Sequence, residues 1–215
     1  MRPGEWLRML ADYFGFGRLR RRVEPVTDRA ALVQFMRTRA SFVAQTSLYG
    51  YLRTRAGMRY PELFEDDPFV EGINLAKWHI WLACLSDLGV YAGGLLVRQT
   101  GAPPSQVREL MLELVGEILA ETGHPKDAGG AYPEHAEKVR ERIANCDLAE
   151  FEDGEWAFSE SPAAVVEWSP IMDNLKKLDE GIVKNSVRFR WQEIRRDLRK
   201  CLDAEGVLAR MAGVA

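Results

Sequence analysis

Eighteen consecutive residues, Ile80 to Val97, contain only two strongly polar side chains, Ser86 and Asp87. A run of this length must be read either as a membrane-spanning helix or as the central helix of a core. Insertion energetics decide between the two. An aspartate at a helix centre opposes insertion by roughly 2.5–3.5 kcal/mol, whereas each Leu, Ile or Val returns about 0.3–0.6 kcal/mol. Five Leu, one Ile and two Val therefore only about cancel Asp87, and Ser86, Tyr91 and three Gly still have to be accommodated. The run reads as a buried helix around which the rest of the chain packs.

Helical spacing recurs on both sides of it. Around residues 5–15, Trp6, Leu7, Met9, Leu10, Tyr13 and Phe14 share one arc, with Glu5, Arg8 and Asp12 opposite. A linker containing Pro25 follows, and Asp28 can cap a helix running to about Arg55. Its apolar positions (Leu32, Phe35, Met36, Phe42, Val43, Tyr49, Leu52) are irregularly spaced, which leaves room for a kink. Residues 62–68 read as an acidic loop, 70–99 as the apolar helix, and Ser105 opens an amphipathic helix that Gly123 and Pro125 stop. A further helix begins at Pro133, with Ala136, Val139, Ile143 and Cys146 inward.

Residues 151–168 admit two readings, a small hairpin turning at Asp153-Gly154 or a plain acidic loop. Ser161-Pro162 and Ser169-Pro170 each look like a cap followed by a first-turn proline. The second opens a long helix to about Ala204, with Ile171, Leu175, Leu178, Ile182 and Phe189 as its apolar seam; Ile194, Leu198 and Cys201 continue the seam with a shift. The fold expected is all-α, a multi-helix bundle with a short N-terminal amphipathic helix and a long C-terminal helix. Residues 1–22 read as a docking segment and 23–215 as a single α-helical domain.

A hydrophobic share of 47% beside 28% charged residues excludes a disordered chain. Cys84, Cys146 and Cys201 are odd in number and widely spaced, with no CxxC knuckle, which favours a reducing compartment. The location expected is the cytoplasm, at the inner face of a membrane.

Charge supports that placement. The first sixty residues carry twelve Arg, no Lys and four acids, +8 in all, while the chain as a whole carries -3, so the remainder carries -11. Trp6, Leu7, Leu10, Tyr13 and Phe14 followed by Arg18, Arg20, Arg21 and Arg22 suit docking at an anionic membrane surface or on a protein partner. A competing account is internal: Lys176 to Lys200 sums to +5, so basic first and last segments would embrace an acidic middle. Nucleic acid is not expected. The Arg-Thr-Arg triplets at 37–39 and 53–55 face apart on a continuous helix, and no recognition-helix or zinc-finger pattern accompanies them.

Chemistry is sparsely supplied. Asp87 with His79 on the apolar helix are the candidates for buried polar groups, and burial would raise the carboxyl unless a cation pairs with it. The bland reading of Asp87, an ion pair or helix-capping contact, competes with a proton-handling or ligand-binding role. His124 and His135 form neither HExxH nor a helical Glu-x-x-His, so no metal is expected. There is no nucleophile elbow, P-loop or dinucleotide-binding setting, and no cofactor is expected. The reading is a non-catalytic helical accessory or assembly protein docking peripherally through its basic N-terminus. The alternative is a soluble helical enzyme or small-ligand binder with a pocket near Asp87 and His79.

Overall fold

Asp28 opens the first helix, α1 (Arg29–Ala56), its side chain accepting the Ala31 N–H at 2.8 Å. The structure is a computed structural model that describes residues 24–209; the expected N-terminal helix and the docking residues Trp6 to Arg22 lie outside them. Among the described residues the fold is all-α, with seven α-helices and a single isolated bridge as its only extended pairing. A 3-10 segment, Gly57–Glu65, leads from α1 into α2 (Asp67–Thr100), which contains the apolar run. The run is surrounded by protein: 89% of the most apolar window of α2 is buried.

Helices α3 (Pro104–Thr122), α4 (Tyr132–Asn145) and α5 (Glu160–Trp168) all pack on α2, as does α1. Helix α6 (Asp173–Cys201) lies against α5 and α1, and a short α7 (Ala204–Leu208) closes the described chain. Val26 pairs with Leu202: its N–H donates to Cys201 O at 2.8 Å, and Asp203 N–H donates to Val26 O at 2.9 Å.

Glycines let the neighbours approach α2 closely. A Cβ at Gly89 would stand 3.0 Å from Ile143 Cδ1, and one at Gly93 would stand 3.1 Å from Met111 Cγ. Gly94 lies directly under the Phe151 ring. The close crossing at Gly89, Gly93 and Gly94 is made by α3, α4 and the segment that follows α4.

Several local expectations are corrected. Helix α1 is continuous through its irregular apolar positions because it buries residues toward several neighbours; Phe42 is nevertheless 45% exposed. The acidic stretch 62–68 is a 3-10 turn followed by the first residues of α2, where Pro68 occupies the first turn. Residues 151–159 form no strand. Ser161 lies inside α5 and not before it, and Ser169 ends α5: its Oγ donates to Val165 O at 2.6 Å. The long helix opens at Asp173 and stops at Cys201.

The largest correction concerns the face of α6. Val183, Val187, Trp191, Ile194 and Leu198 are buried, whereas Leu178 and Ile182 are each 75% exposed and Phe189 is 72% exposed. At about 100° per residue, Ile182 and Val187 lie about 140° apart. The apparent shift along the seam is therefore the overlap of two stripes, one facing the core and one facing outward.

Candidate functional site

Three polar constellations stand out among the described residues, and two of them involve the groups singled out on α2. Asp87 is fully buried. Its Oδ1 accepts from Arg142 Nη1 of α4 at 2.6 Å and from Glu160 N–H at 3.1 Å. Its Oδ2 accepts from Ser161 N–H at 2.9 Å and Ser161 Oγ at 2.6 Å. Ser161 Oγ in turn accepts from Trp191 Nε1 of α6 at 2.9 Å. Asp87 thus caps the N-terminus of α5 from another helix, where free N–H groups and the helix dipole favour a negative charge. Burial pushes the carboxyl up, against the pull of Arg142 and Ser161. Arg142 Nη2 also donates to Ala157 O at 2.8 Å, so the guanidinium fixes the approach to α5 as well. With four bonds for about four lone pairs, Asp87 has no acceptor capacity left for a substrate.

His79 lies two turns away and is 2% exposed. Its Nδ1 stands 2.8 Å from His135 Nδ1 of α4, and its Nε2 stands 3.2 Å from Ala128 O. The carbonyl can only accept, so neutral His79 carries its proton on Nε2 and His135 donates to the bare Nδ1. Trp168 stacks on the His79 ring at 3.8 Å between centroids. Close by, Asp127 accepts from Trp78 Nε1 at 2.7 Å and pairs with Lys77 at 2.5 Å. His124 Nε2 donates to Gly129 O at 3.0 Å, pinning the same loop. No group of three or more His, Cys, Asp or Glu suited to a metal occurs among the described residues.

Burial, helped by the neighbouring His135, lowers the His79 pKa from 6.5 to about 4. The unfolded chain takes up a proton here as pH falls through about 6.5, while the folded chain does not until about 4. The stability from this site is therefore complete above 6.5 and lost progressively as pH falls from 6.5 to about 4. Urea midpoints measured from neutral to mildly acid pH are expected to fall, and His79→Phe to flatten that dependence. An unchanged slope in the variant would assign the acid sensitivity to other groups.

The third constellation lies between α1 and α6, which run antiparallel. Arg55 of α1 forms a bidentate ion pair with Asp179 of α6, and Tyr51 OH donates to the same carboxylate at 2.9 Å. Beside this pair a groove of about 410 Å³ is lined by Ser47, Gly50, Thr54, Ile182, Ser186 and Arg190, among others. Ile182, on its rim, belongs to the outward stripe that also carries Leu178 and Phe189.

The structure therefore separates the two groups expected to share a pocket. Asp87 faces Arg142, His79 faces His135, and both are held by internal partners. Lys77, Arg98 or an arginine from another helix are the cations the sequence offers to Asp87, and Arg142 of α4 is the one that pairs with it; His135 was not anticipated as the partner of His79. A signal was available: His79 and Asp87 lie eight residues apart on one helix, and His135 and Arg142 lie seven apart on another. Matching two-turn spacings let both pairs form across one helix–helix contact. The α1/α6 groove had no such signal, because its walls are more than 120 residues apart in the chain. No family model, no curated protein and no solved structure matches this chain. What the fold and these sites define, among the described residues, is an all-α multi-helix protein in which Asp87 and His79 are internally partnered.

Proposed function

We propose that the chain is a non-catalytic helical accessory or assembly protein that docks peripherally on an anionic membrane surface or on a membrane complex. The observation that carries this reading is the outward stripe of α6. Leu178, Ile182 and Phe189 are 72–75% exposed on one face of one helix. Three large apolar side chains aligned in this way are a cost in water that a docked surface removes. Nine Lys or Arg against four acids between Lys176 and Lys200 give the same helix a charge of +5. An anionic surface complements that charge, and the aromatic, arginine-rich composition of residues 6–22 favours the same partner. An enzyme using Asp87 and His79 is less well supported, because each hydrogen-bonding atom of both side chains already has an internal partner.

Co-sedimentation of the full chain with vesicles tests the reading. Binding is expected to phosphatidylserine-containing vesicles, to weaken with salt, and to be weak or absent for phosphatidylcholine alone. The triple variant Leu178→Gln, Ile182→Gln, Phe189→Gln is expected to lose most of it while each change shifts stability by no more than about 0.5 kcal/mol. A full chain that sediments with neither vesicle type would retire lipid as the partner.

A further inference from the structure

The α1/α6 groove contains two polar groups that the fold leaves unused. Ser47 is 5% exposed, and its Oγ has no hydrogen-bond partner among the described residues. Arg190 forms no ion pair or hydrogen bond with any other described residue, and its Nε is buried without an acceptor. Leaving a buried donor unsatisfied is unfavourable, and an unpaired guanidinium more so. Gly50 makes room for the guanidinium: a Cβ there would stand 3.3 Å from Arg190 Nη2. Both unused groups line the same groove, which has about the volume of a small-molecule site.

We propose that this groove binds a monocarboxylate carrying an apolar tail, with Arg190 and Ser47 holding the carboxylate. Charge sets the valence of the ligand. Arg55 and Asp179 neutralise each other, so among the described residues of the lining Arg190 supplies the one uncompensated charge, and Asp179 opposes a second negative charge on the ligand. Guanidinium and hydroxyl together suit the two oxygens of a carboxylate. Ile182, Val183 and Val187 provide an apolar wall for the tail, and Ile182 leads it onto the outward stripe of α6. The site stands apart from vesicle docking, since a water-soluble carboxylate can fill it whether or not the chain binds lipid.

Octanoate is a suitable probe, titrated calorimetrically into the full chain beside octanol and acetate, which carry the tail and the head alone. Saturable one-to-one octanoate binding is expected, with both controls weaker by about tenfold or more. Arg190→Gln and Ser47→Ala are each expected to weaken octanoate by about tenfold, as loss of a hydrogen bond to a charged group does. Ser47→Ala removes an unsatisfied hydroxyl and should leave the thermal midpoint unchanged or higher, so it remains informative if Arg190→Gln fails to fold. The proposal is overturned if octanoate does not saturate, if octanol binds as well as octanoate, or if Ser47→Ala binds octanoate with unchanged affinity.

Discussion

Asp87→Ala is expected to lower the unfolding free energy by about 3–5 kcal/mol, because it strands the half-buried Arg142 guanidinium without its main counter-charge. The carboxylate also satisfies two N–H groups at the start of α5 and the Ser161 hydroxyl, and all three lose their acceptor. Trp191 is held through that same hydroxyl, so the loss extends to the packing of α6. Urea unfolding at neutral pH measures it. Asp87→Asn keeps the shape but gives up the charge, and should fall between wild type and alanine. A loss below about 1 kcal/mol for alanine, typical of a single neutral hydrogen bond, would mean that the network contributes little beyond one contact. Arg142→Leu in the Asp87→Leu background should recover part of the loss, since removing both partners of a buried pair is far less damaging than removing one.

Gly94→Ala is the second large effect, expected to destabilise by about 1–3 kcal/mol through overpacking. A Cβ there would lie 2.7 Å from Phe151 Cε2 and nearer still to Cγ and Cδ2, so the ring must leave its place against Tyr91. The clash is with the ring face and not with a flexible chain end, which is why a small shift does not relieve it. In a Phe151→Ala background Gly94→Ala should cost far less, and the double-mutant cycle would show strong coupling. Gly116→Ala is the contrast: nothing lies within 4 Å of a Cβ at that helical position. There the change is expected to stabilise by about 0.5–1 kcal/mol, the usual helical preference for alanine over glycine. Equal effects at 94 and 116 would contradict the packing seen around Phe151.

How far the sequence could be read depended on whether a signal was local. Helix α3 was legible because one apolar stripe and the Gly123 and Pro125 stop agree, and α4 because its apolar stripe follows Pro133. Helix α2 was legible because Asp87 offsets what its aliphatic neighbours would gain in lipid, whereas a protein core can supply it with partners. In α6 the same reasoning failed: the 178–182–189 stripe and the 187–191–194–198 stripe both have helical periodicity, and periodicity alone does not say which one faces the core. Only Trp191, which finds its acceptor on α5, and the apolar neighbours it brings decide that. Ser161 and Ser169 failed for a related reason. Each has the composition of a cap, but the acceptor for the start of α5 comes from Asp87, more than seventy residues earlier in the chain. The pairing of His79 with His135, and the groove bounded by Arg55 and Arg190, likewise exist only once helices distant in sequence are side by side.

The bridge between Val26 and Leu202 has a topological consequence. The first and last parts of the described chain meet at one pole, so the chain between them is already a closed circuit of helices. Rejoining it at that pole and cutting it instead in the loop between α3 and α4 would leave every helix and the Asp87 contacts intact.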